Sequence, residues 1–118
     1  MKVIIAGSRN FPTEHSDIIW GSIAASNFDI TEVVSGGAIG ADRFGEVYAQ
    51  QNNIPVKKFL PDWNRYGRSA GFLRNGEMAN YADALIAIWD GKSNGTRNMI
   101  GHMKRLGKPL EVIKTGGL

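Results

Sequence analysis

Short apolar runs alternate along the chain with longer stretches in which apolar side chains recur at helical spacing. The apolar runs predict five β-strands, at 2–6, 31–35, 55–60, 84–89 and 110–113. The stretches between them predict four helices, at about 14–26, 41–51, 69–81 and 96–106. Strands and helices that alternate in this way are typical of a parallel sheet with helices on both faces. We therefore predict an α/β fold with a doubly wound parallel sheet of about five strands.

Two of the apolar runs indicate central strands. Residues 3–6 and 84–89 are apolar throughout, as expected of strands that are buried on both faces. The third predicted strand instead contains Lys57 and Lys58, which favours an edge position. These features lead us to expect the strand order 3-2-1-4-5, in a single domain that spans residues 1–118.

The last predicted helix carries signals at both ends. Thr96 is placed to cap its N-terminus, and Gly107 and Pro109 follow its C-terminus, where glycine commonly adopts a left-handed conformation. Its inner face is predicted to consist of apolar side chains, namely Met99, Ile100, Met103 and Leu106.

A glycine-rich segment follows the second predicted strand. Three glycines stand within five residues, from Gly36 to Gly40, and their backbone freedom costs entropy on folding. One use of such a loop is to bring backbone N–H groups against a phosphate at the N-terminus of the next helix. A side chain at Gly37 would then block the approach to these amides. The alternative is a tight strand–helix connection that binds nothing, and the loop alone does not decide between the two.

Composition limits the chemistry that the chain can carry. Of its 118 residues, 42% are apolar and 21% are charged, as in an ordinary globular domain. The absence of cysteine excludes disulfides and thiolate metal sites, and the two histidines lie far apart in sequence, so we expect no metal and no bound cofactor. The net charge of +3 suits a phosphorylated small molecule as well as nucleic acid. No apolar run is long enough for a membrane span or a signal peptide, so we expect a cytoplasmic protein.

The predicted loops at the carboxyl ends of the strands bring polar side chains to one edge of the sheet. In an open parallel sheet, ligands bind at this edge, where the strand order reverses. The candidate ligand-binding residues in these loops are Gly7, Ser8, Arg9, Ser35, Gly36, Gly37, Ala38, Gly40, Asp42, Asp90, Gly91, Asn94, Gly95 and Thr96. Their hydroxyls, arginine side chain and glycine amides favour an anionic ligand over an empty turn.

Three further assignments stay open at the level of the sequence. Arg74 could hold a phosphate through its guanidinium or form an ion pair with Glu77, one helical turn away. Asp42 could accept a hydrogen bond from a ribose hydroxyl or only complement the helix dipole. Trp63 and Tyr66, in a predicted polar and aromatic loop at 61–68, could stack on a base or pack over the edge strand.

Two common nucleotide-binding motifs are missing from the sequence. No Gly-x-Gly-x-x-Gly pattern follows the first strand, and no Gly-x-x-x-x-Gly-Lys-Ser/Thr pattern occurs. The sequence therefore predicts neither an ordinary dinucleotide fingerprint nor a P-loop, and no Ser–His–Asp set can be assigned.

Five motifs together resemble the SLOG superfamily of Rossmann-like proteins, in particular its small stand-alone members related to YspA and YpsA. The motifs are IIAGSR at 4–9, SGGAIGAD at 35–42, RNGEM at 74–78, ADALIA at 82–87 and WDGKSNGT at 89–96. Their order and spacing cover almost the whole chain. The resemblance implies a Rossmann-like fold, a nucleotide or ADP-ribose-like ligand in the crevice, and a homo-oligomer.

Two motifs of the LOG enzymes, which are phosphoribohydrolases of this superfamily, can be compared with the sequence. These enzymes carry a glutamate three residues after the threonine of a Gly-Thr motif, and this position is Met99 here. They also carry Arg-Lys-x-x-Met, of which Arg74 and Met78 are present while Asn75 replaces the lysine. The resemblance therefore implies a protein that binds a signalling nucleotide without cleaving it, as a sensor or a sequestering protein.

Two alternatives remain beside this hypothesis. The first is a nucleotide N-glycosidase related to LOG, in which Glu77 or Asp42 replaces the missing glutamate. The second is single-stranded DNA binding of the DprA type, because DprA proteins share the style of the 35–42 loop. The small charge excess and the lack of a further DNA-contacting domain argue against nucleic acid. We expect a small-molecule nucleotide derivative as the partner, and no membrane.

Overall fold

The computed structural model, which describes residues 1–8, 16–37 and 41–115, has a five-stranded parallel sheet at its centre. The strands are β1 (Lys2–Gly7), β2 (Glu32–Ser35), β3 (Val56–Lys58), β4 (Ala84–Trp89) and β5 (Leu110–Lys114). The helices are α1 (Ser16–Ser26), α2 (Ala41–Gln51), α3 (Trp63–Tyr66), α4 (Ala70–Tyr81) and α5 (Asn94–Arg105), with a 3₁₀ turn at Gly67–Ser69 between α3 and α4. The sheet order is β3-β2-β1-β4-β5 and every pair is parallel, which confirms the predicted α/β fold and strand order.

β1 and β4 lie side by side in the middle of the sheet, with both faces covered by helices. Successive side chains of β1 point to two different cores. Ile5 shares one core with Ile19 of α1, and Ile4 shares the other with Met78 of α4 and Met103 of α5. This double burial explains why both central strands are apolar along their whole length.

The carboxyl end of β1 packs closely against its neighbours. A Cβ atom at Gly7 would collide with the carbonyl oxygen of Ile88 on β4 and would stand 2.8 Å from the Cβ of Ala41 on α2. A Cβ atom at Gly45 on α2 would stand 2.8 Å from the Cβ of Ile5. The approach of β1 to β4 and to α2 therefore leaves no room for a side chain at either glycine.

The segment predicted as a loop at 61–68 contains helical structure instead. α3 forms there, and Asp62 caps it by accepting a hydrogen bond from the backbone N–H of Arg65 at 3.1 Å. A single helical turn is too short to show periodicity in its apolar positions, so the sequence pattern gave no sign of it.

α5 begins two residues earlier than predicted. Ser93 is its N-cap residue, and Thr96 lies inside the first turn, where its hydroxyl contacts Ser93 Oγ at 3.3 Å. The prediction that Thr96 caps the helix is therefore wrong. The placement of Leu106 in the core is also wrong, because the helix ends at Arg105 and the Leu106 side chain is 47% exposed. Gly107 has the predicted left-handed conformation, with φ of +67°.

The two edges of the sheet are short or polar. β3 has three residues and exposes both Lys57 and Lys58, in agreement with the edge position predicted for it. At the other edge, Glu111 and Lys114 of β5 are exposed. The first two residues of the helix predicted at 14–26 lie outside the described part of the chain.

Candidate functional site

A small cavity lies at the carboxyl end of β1, one of the two central strands, between the loop that follows β2 and the N-terminus of α5. One face of the sheet here is covered by α1 and α2, and the other by α4 and α5, so a crevice opens where the strand order reverses. The cavity, called the inner cavity below, opens to solvent and has a volume of about 80 Å³.

Predicted ligand-binding residues from five different segments meet at the inner cavity. Six of them line it: Gly7, Gly36, Asp42, Arg74, Gly95 and Thr96. Buried side chains of Ala6, Met78 and Met99 form the apolar part of its lining. The sequence did not single out Asn75 and Ser93, which line the cavity as well.

A wider groove of about 490 Å³ adjoins the inner cavity and is called the outer groove below. The two share four lining residues: Arg74, Asn75, Ser93 and Gly95. Four other predicted residues also line the groove: Ser8, Trp63, Asp90 and Asn94. Three large exposed side chains that the sequence analysis did not single out also line the groove, namely Arg68, Phe72 and Lys92.

Arg74 connects α4 to the glycine-rich loop that follows β2. Its Nη1 donates a hydrogen bond to the carbonyl oxygen of Gly36 at 2.6 Å and another to that of Phe59 at 3.3 Å. Its Nε donates to Oδ1 of Asn75 at 3.0 Å. These bonds hold the guanidinium at the wall of the inner cavity, while Glu77 is exposed and lines neither space.

Asp42 joins the first turn of α2 to the end of β1. Its Oδ1 accepts a hydrogen bond from the backbone N–H of Gly7 at 3.2 Å, and the residue is only 6% exposed. A Cβ atom at Gly36 would stand 3.1 Å from Asp42 Oδ2 and 2.6 Å from Arg74 Nη1. The missing side chain at Gly36 thus leaves room for a carboxylate and a guanidinium beside the same cavity.

Ser35 and Gly37 stabilise the shape of the glycine-rich loop. The Ser35 hydroxyl donates a hydrogen bond to Glu46 Oε2 at 2.6 Å and accepts one from the backbone N–H of Gly37 at 3.0 Å. Ser35 is fully buried, and Gly37 has φ of +74°, a conformation that favours glycine. Neither residue lines the inner cavity or the outer groove. The amide of Gly37 therefore has an internal partner, which revises the sequence argument that it serves a phosphate.

Asp90 stabilises the loop between β4 and α5. Its Oδ1 accepts hydrogen bonds from the backbone N–H groups of Ser93 and Lys92, both at 2.8 Å, and these bonds lower the pKa of its carboxyl. Its own backbone N–H donates to the Ser8 hydroxyl at 3.1 Å, which ties the loop to the end of β1. Gly91, with φ of +83°, permits the turn and lines neither the cavity nor the groove.

The first residues of α5 lie at the site, where Asn94 and Gly95 line the outer groove and Gly95 and Thr96 line the inner cavity. Gly95 and Asn94 are exposed, and Thr96 is buried against the inner cavity. The backbone N–H groups of a helical first turn carry the positive end of the helix dipole, so this end of α5 favours an anion. Asn75 fixes its position, because its Nδ2 donates to the carbonyl oxygen of Gly95 at 3.1 Å and to Asn98 Oδ1 at 3.1 Å. The sequence carries no signal for this role, because both the burial of Asn75 and its contact with α5 arise from the packing of the two helices.

The two aromatic candidates separate in the structure. Trp63 lines the outer groove and is 52% exposed. Tyr66 lines neither space, and its ring lies 5.2 Å from the guanidinium carbon of Arg65. Trp63 therefore keeps its candidate role in base stacking, whereas the structure does not bring Tyr66 to the site.

Three of the predicted site residues and the predicted absences of a metal and of a membrane span remain to be placed against the structure. The candidate site residues Arg9, Ala38 and Gly40 lie outside the described residues. Within 1–8, 16–37 and 41–115, no cluster of histidine or carboxylate side chains could hold a metal ion. In the same ranges, no helix is long and apolar enough to cross a membrane.

The side chains that could replace the LOG-type glutamate differ in position. Met99 is 2% exposed and lines the inner cavity with a thioether, which cannot act as a general base. In the described lining of this cavity, Asp42 supplies the only carboxylate. Glu77 faces solvent, so among the described residues Asp42 is the carboxylate that a hydrolytic mechanism in this cavity would use.

The fold defines a Rossmann-like α/β protein with a crevice where the strand order reverses. Its residues 1–66 match the model of the YspA, cpYpsA-related SLOG family. The chain is also similar to the Gene 61 protein of Mycobacterium phage D29, with 32% identity over 119 residues that cover 92% of this chain and 93% of that protein. The chain therefore belongs to the YspA, cpYpsA-related SLOG family, which confirms the resemblance seen in its motifs.

A solved structure supports the fold independently of sequence identity. DNA processing protein A (DprA) from Streptococcus pneumoniae superposes with a TM-score of 0.79 over 99% of this chain, at 17% identity. The chain spans about half of the DprA chain, 51% of its length. This similarity shows a shared Rossmann-like fold.

Proposed function

We propose that this protein binds a nucleotide-derived, ADP-ribose-like ligand without cleaving it, as a sensor or a sequestering protein for a signalling nucleotide. The observation that carries the proposal is the meeting of Arg74 and the N-terminus of α5 at one cavity beside the carboxyl end of β1. Membership of a SLOG family and the Rossmann-like fold support a nucleotide-related role in general terms.

The size of the inner cavity indicates which part of the ligand it would hold. Sites for whole drug-sized ligands measure roughly 300–1,000 Å³, and the inner cavity measures about 80 Å³. A space of this size fits one compact group, and a guanidinium beside a helix N-terminus favours a phosphate. The nucleoside would then lie in the outer groove, whose volume is about 490 Å³.

The chemistry of the lining supports binding over cleavage. Cleavage of an N-glycosidic bond needs a group that stabilises the developing oxocarbenium ion or positions water. Met99 offers neither, and Asp42 already accepts a hydrogen bond from the backbone N–H of Gly7. Asp42 nevertheless keeps an N-glycosidase as the second candidate function, because its carboxylate borders the same cavity as Arg74.

A panel experiment tests both functions together. The protein is incubated with ADP-ribose, cyclic ADP-ribose, NAD and AMP, its melting temperature is measured, and the mixture is analysed by chromatography after heat denaturation. We expect ADP-ribose to raise the melting temperature and to be recovered unchanged. A ligand at 100 times its dissociation constant stabilises the folded state by about 2.7 kcal/mol, which gives a shift that is easy to measure.

The outcomes of this panel separate the candidates. Release of a free base would replace the binding proposal by the N-glycosidase, and an Asp42→Asn variant should then lose that release. No thermal shift with any member of the panel would contradict both functions. A single-stranded oligonucleotide, added as a separate sample, is expected to leave the melting temperature unchanged.

A further inference from the structure

The described lining of the outer groove contains three cationic side chains and one carboxylate. Arg68 extends from the 3₁₀ turn before α4, and Lys92 lies in the loop between β4 and α5, so two cations enter the groove from different elements. Arg74 lines the groove as a third cation. Asp90 is the carboxylate in the described lining, and two backbone N–H groups at 2.8 Å already stabilise its charge.

Two aromatic side chains stand in the same groove. Trp63 of α3 and Phe72 of α4 are 52% and 48% exposed. A Cβ atom at Gly71 would stand 3.7 Å from Cη2 of Trp63, so the indole lies over the first turn of α4 at a position that has no side chain of its own. Large exposed aromatic faces beside cations provide what a nucleotide needs, since a base stacks on the rings while its phosphates meet the charges.

We propose that the outer groove is a second anion subsite, in which Arg68 and Lys92 bind a second phosphoryl group while Trp63 or Phe72 stacks on the base. This inference rests on the proposed function, because it takes the first phosphate to lie in the inner cavity at Arg74. The ligand class is then a nucleoside diphosphate or an ester of one, in preference to a nucleoside monophosphate. The preference for a diphosphate over a monophosphate comes from Arg68 and Lys92 in the outer groove, and not from the inner cavity.

Titration calorimetry with AMP and ADP tests the second subsite. The samples are the unaltered protein, the double variant Arg68→Gln/Lys92→Gln, and the control Arg43→Gln/Lys104→Gln. The control removes the same net charge from exposed residues that line neither space. Each charged hydrogen bond to a second phosphoryl group strengthens binding, so the unaltered protein should bind ADP at least about tenfold more tightly than AMP.

The double variant should lose this preference. We expect it to bind ADP and AMP alike, with its AMP affinity within about threefold of the unaltered protein, while the control double variant keeps the preference for ADP. Equal binding of AMP and ADP by the unaltered protein would overturn the second subsite and leave the proposed function intact. The subsite would also be overturned by an ADP preference that survives in the double variant or disappears in the control. Failure of both nucleotides to bind would overturn the second subsite, and it would overturn the proposed function as well if ADP-ribose also gave no thermal shift.

The stacking part of the proposal has its own matched pair of variants. Trp63→Leu and Phe72→Leu each remove a ring from the groove, whereas Tyr66→Leu removes a comparably exposed ring that lines neither space. Stacking of a base on an aromatic ring strengthens binding by about fivefold or more. We expect at least one of the variants Trp63→Leu and Phe72→Leu to bind both AMP and ADP about fivefold or more weakly than the unaltered protein. Tyr66→Leu should bind both nucleotides as tightly as the unaltered protein. Unchanged affinity in both Trp63→Leu and Phe72→Leu would overturn the stacking role.

Discussion

Arg74 Nη1 lies 2.6 Å from the carbonyl oxygen of Gly36, so a side chain of α4 closes the glycine-rich loop that follows β2. The two residues are 38 positions apart in the sequence. Both line the inner cavity, which makes this hydrogen bond part of the architecture that would receive a phosphate. The same guanidinium therefore has a structural role and a proposed binding role, and experiments on it must separate the two.

Substitution of Arg74 should weaken the binding of ADP-ribose in a protein that still folds. Arg74→Ala removes the charge-assisted bonds to Gly36 and Asn75, and we expect the dissociation constant for ADP-ribose to rise about 10- to 100-fold. Arg74→Lys keeps the positive charge without the planar guanidinium, and its affinity for ADP-ribose should lie between those of the unaltered protein and Arg74→Ala. Calorimetry below the melting temperature of each variant measures the effect. Arg43→Ala, on the exposed side of α2, is the control, and an equal loss of affinity there would contradict a specific role for Arg74.

A side chain at Gly36 should displace the Arg74 guanidinium. In Gly36→Ala the new Cβ would stand 2.6 Å from Arg74 Nη1 and 2.9 Å from its Cζ, so the end of that flexible side chain must move. We expect a stability loss of about 1–3 kcal/mol, as is usual for overpacking, together with a loss of ADP-ribose affinity of at least about tenfold. Gly21→Ala is the control, because a Cβ on α1 at that position meets no atom within 4 Å. Unchanged affinity in a folded Gly36→Ala variant would show that the position of the guanidinium does not matter.

The position of Arg74 also shows how far the sequence could predict this site. The order of the sheet was predictable, because β1 and β4 are buried on both faces and their sequences are apolar throughout. The loops at the strand ends followed from that order. Arg74 of α4 was also a candidate, but the part played by Asn75 was not predictable, because Asn75 meets Gly95 across two packed helices and no sequence spacing encodes that contact.

The outer groove was predicted least well, for a related reason. Phe72 is exposed on α4, and Arg68 and Lys92 sit in short turns, so none of them contributes to an apolar pattern. α3 was missed because one helical turn has no periodicity. The hydroxyl of Ser35 was given to the ligand, but its burial and its bonds to Glu46 and Gly37 show that it supports the loop instead.

Lys108 should stabilise the C-terminal end of α4 independently of the site. Its Nζ donates hydrogen bonds to the carbonyl oxygens of Ala79 and Ala82, both at 2.7 Å, and to that of Asn80 at 3.1 Å. Lys108→Met leaves these carbonyls without their charged donor, and we expect a stability loss of about 1.5–3 kcal/mol. The melting temperature should fall by on the order of 10 °C, as measured by circular dichroism.

The control for this variant lies one turn earlier in the chain. Lys104→Met alters an exposed lysine in the last turn of α5, and its cost should stay at about 0.5 kcal/mol or less. ADP-ribose affinity should be unchanged in Lys108→Met at temperatures where the protein is folded. Equal melting temperatures for the two variants would contradict the role of Lys108.

Asp90 should make the stability of the β4–α5 loop depend on pH in the acid range. The N–H groups of Ser93 and Lys92 hold the pKa of the Asp90 carboxyl below its ordinary value. A lowered pKa means that the ionised group adds stability above its unfolded-state pKa, and that this stability is lost as the pH falls through the lower, folded-state value. Asp90→Asn keeps an oxygen acceptor and removes the charge.

Denaturant unfolding at several pH values measures the consequence. Asp90→Asn should be less stable than the unaltered protein at pH 7, and the difference should shrink as the pH falls through the folded-state pKa of Asp90. A difference that is the same at neutral and strongly acidic pH would show that the charge does not stabilise the loop. Asp83→Asn, which also alters a carboxylate that accepts a backbone N–H bond, provides a comparison away from the site.

The central claim is that a phosphate of the ligand lies against the N-terminus of α5, and two alanine substitutions in that helix test it most directly. Gly95 lines both the inner cavity and the outer groove, and a Cβ there meets no protein atom within 4 Å. At Gly101, farther along α5, a Cβ would make an ordinary contact of 3.8 Å with Arg105 Nη1. Both substitutions should preserve the fold, since alanine favours a helix over glycine by up to about 1 kcal/mol.

Titration calorimetry of ADP-ribose against the unaltered protein, Gly95→Ala and Gly101→Ala gives the decisive comparison. We predict that the unaltered protein and Gly101→Ala bind with the same affinity, and that Gly95→Ala binds at least about tenfold more weakly because its methyl group occupies the approach to the helix amides. Equal affinity of all three proteins, or no binding by the unaltered protein, would contradict the claim.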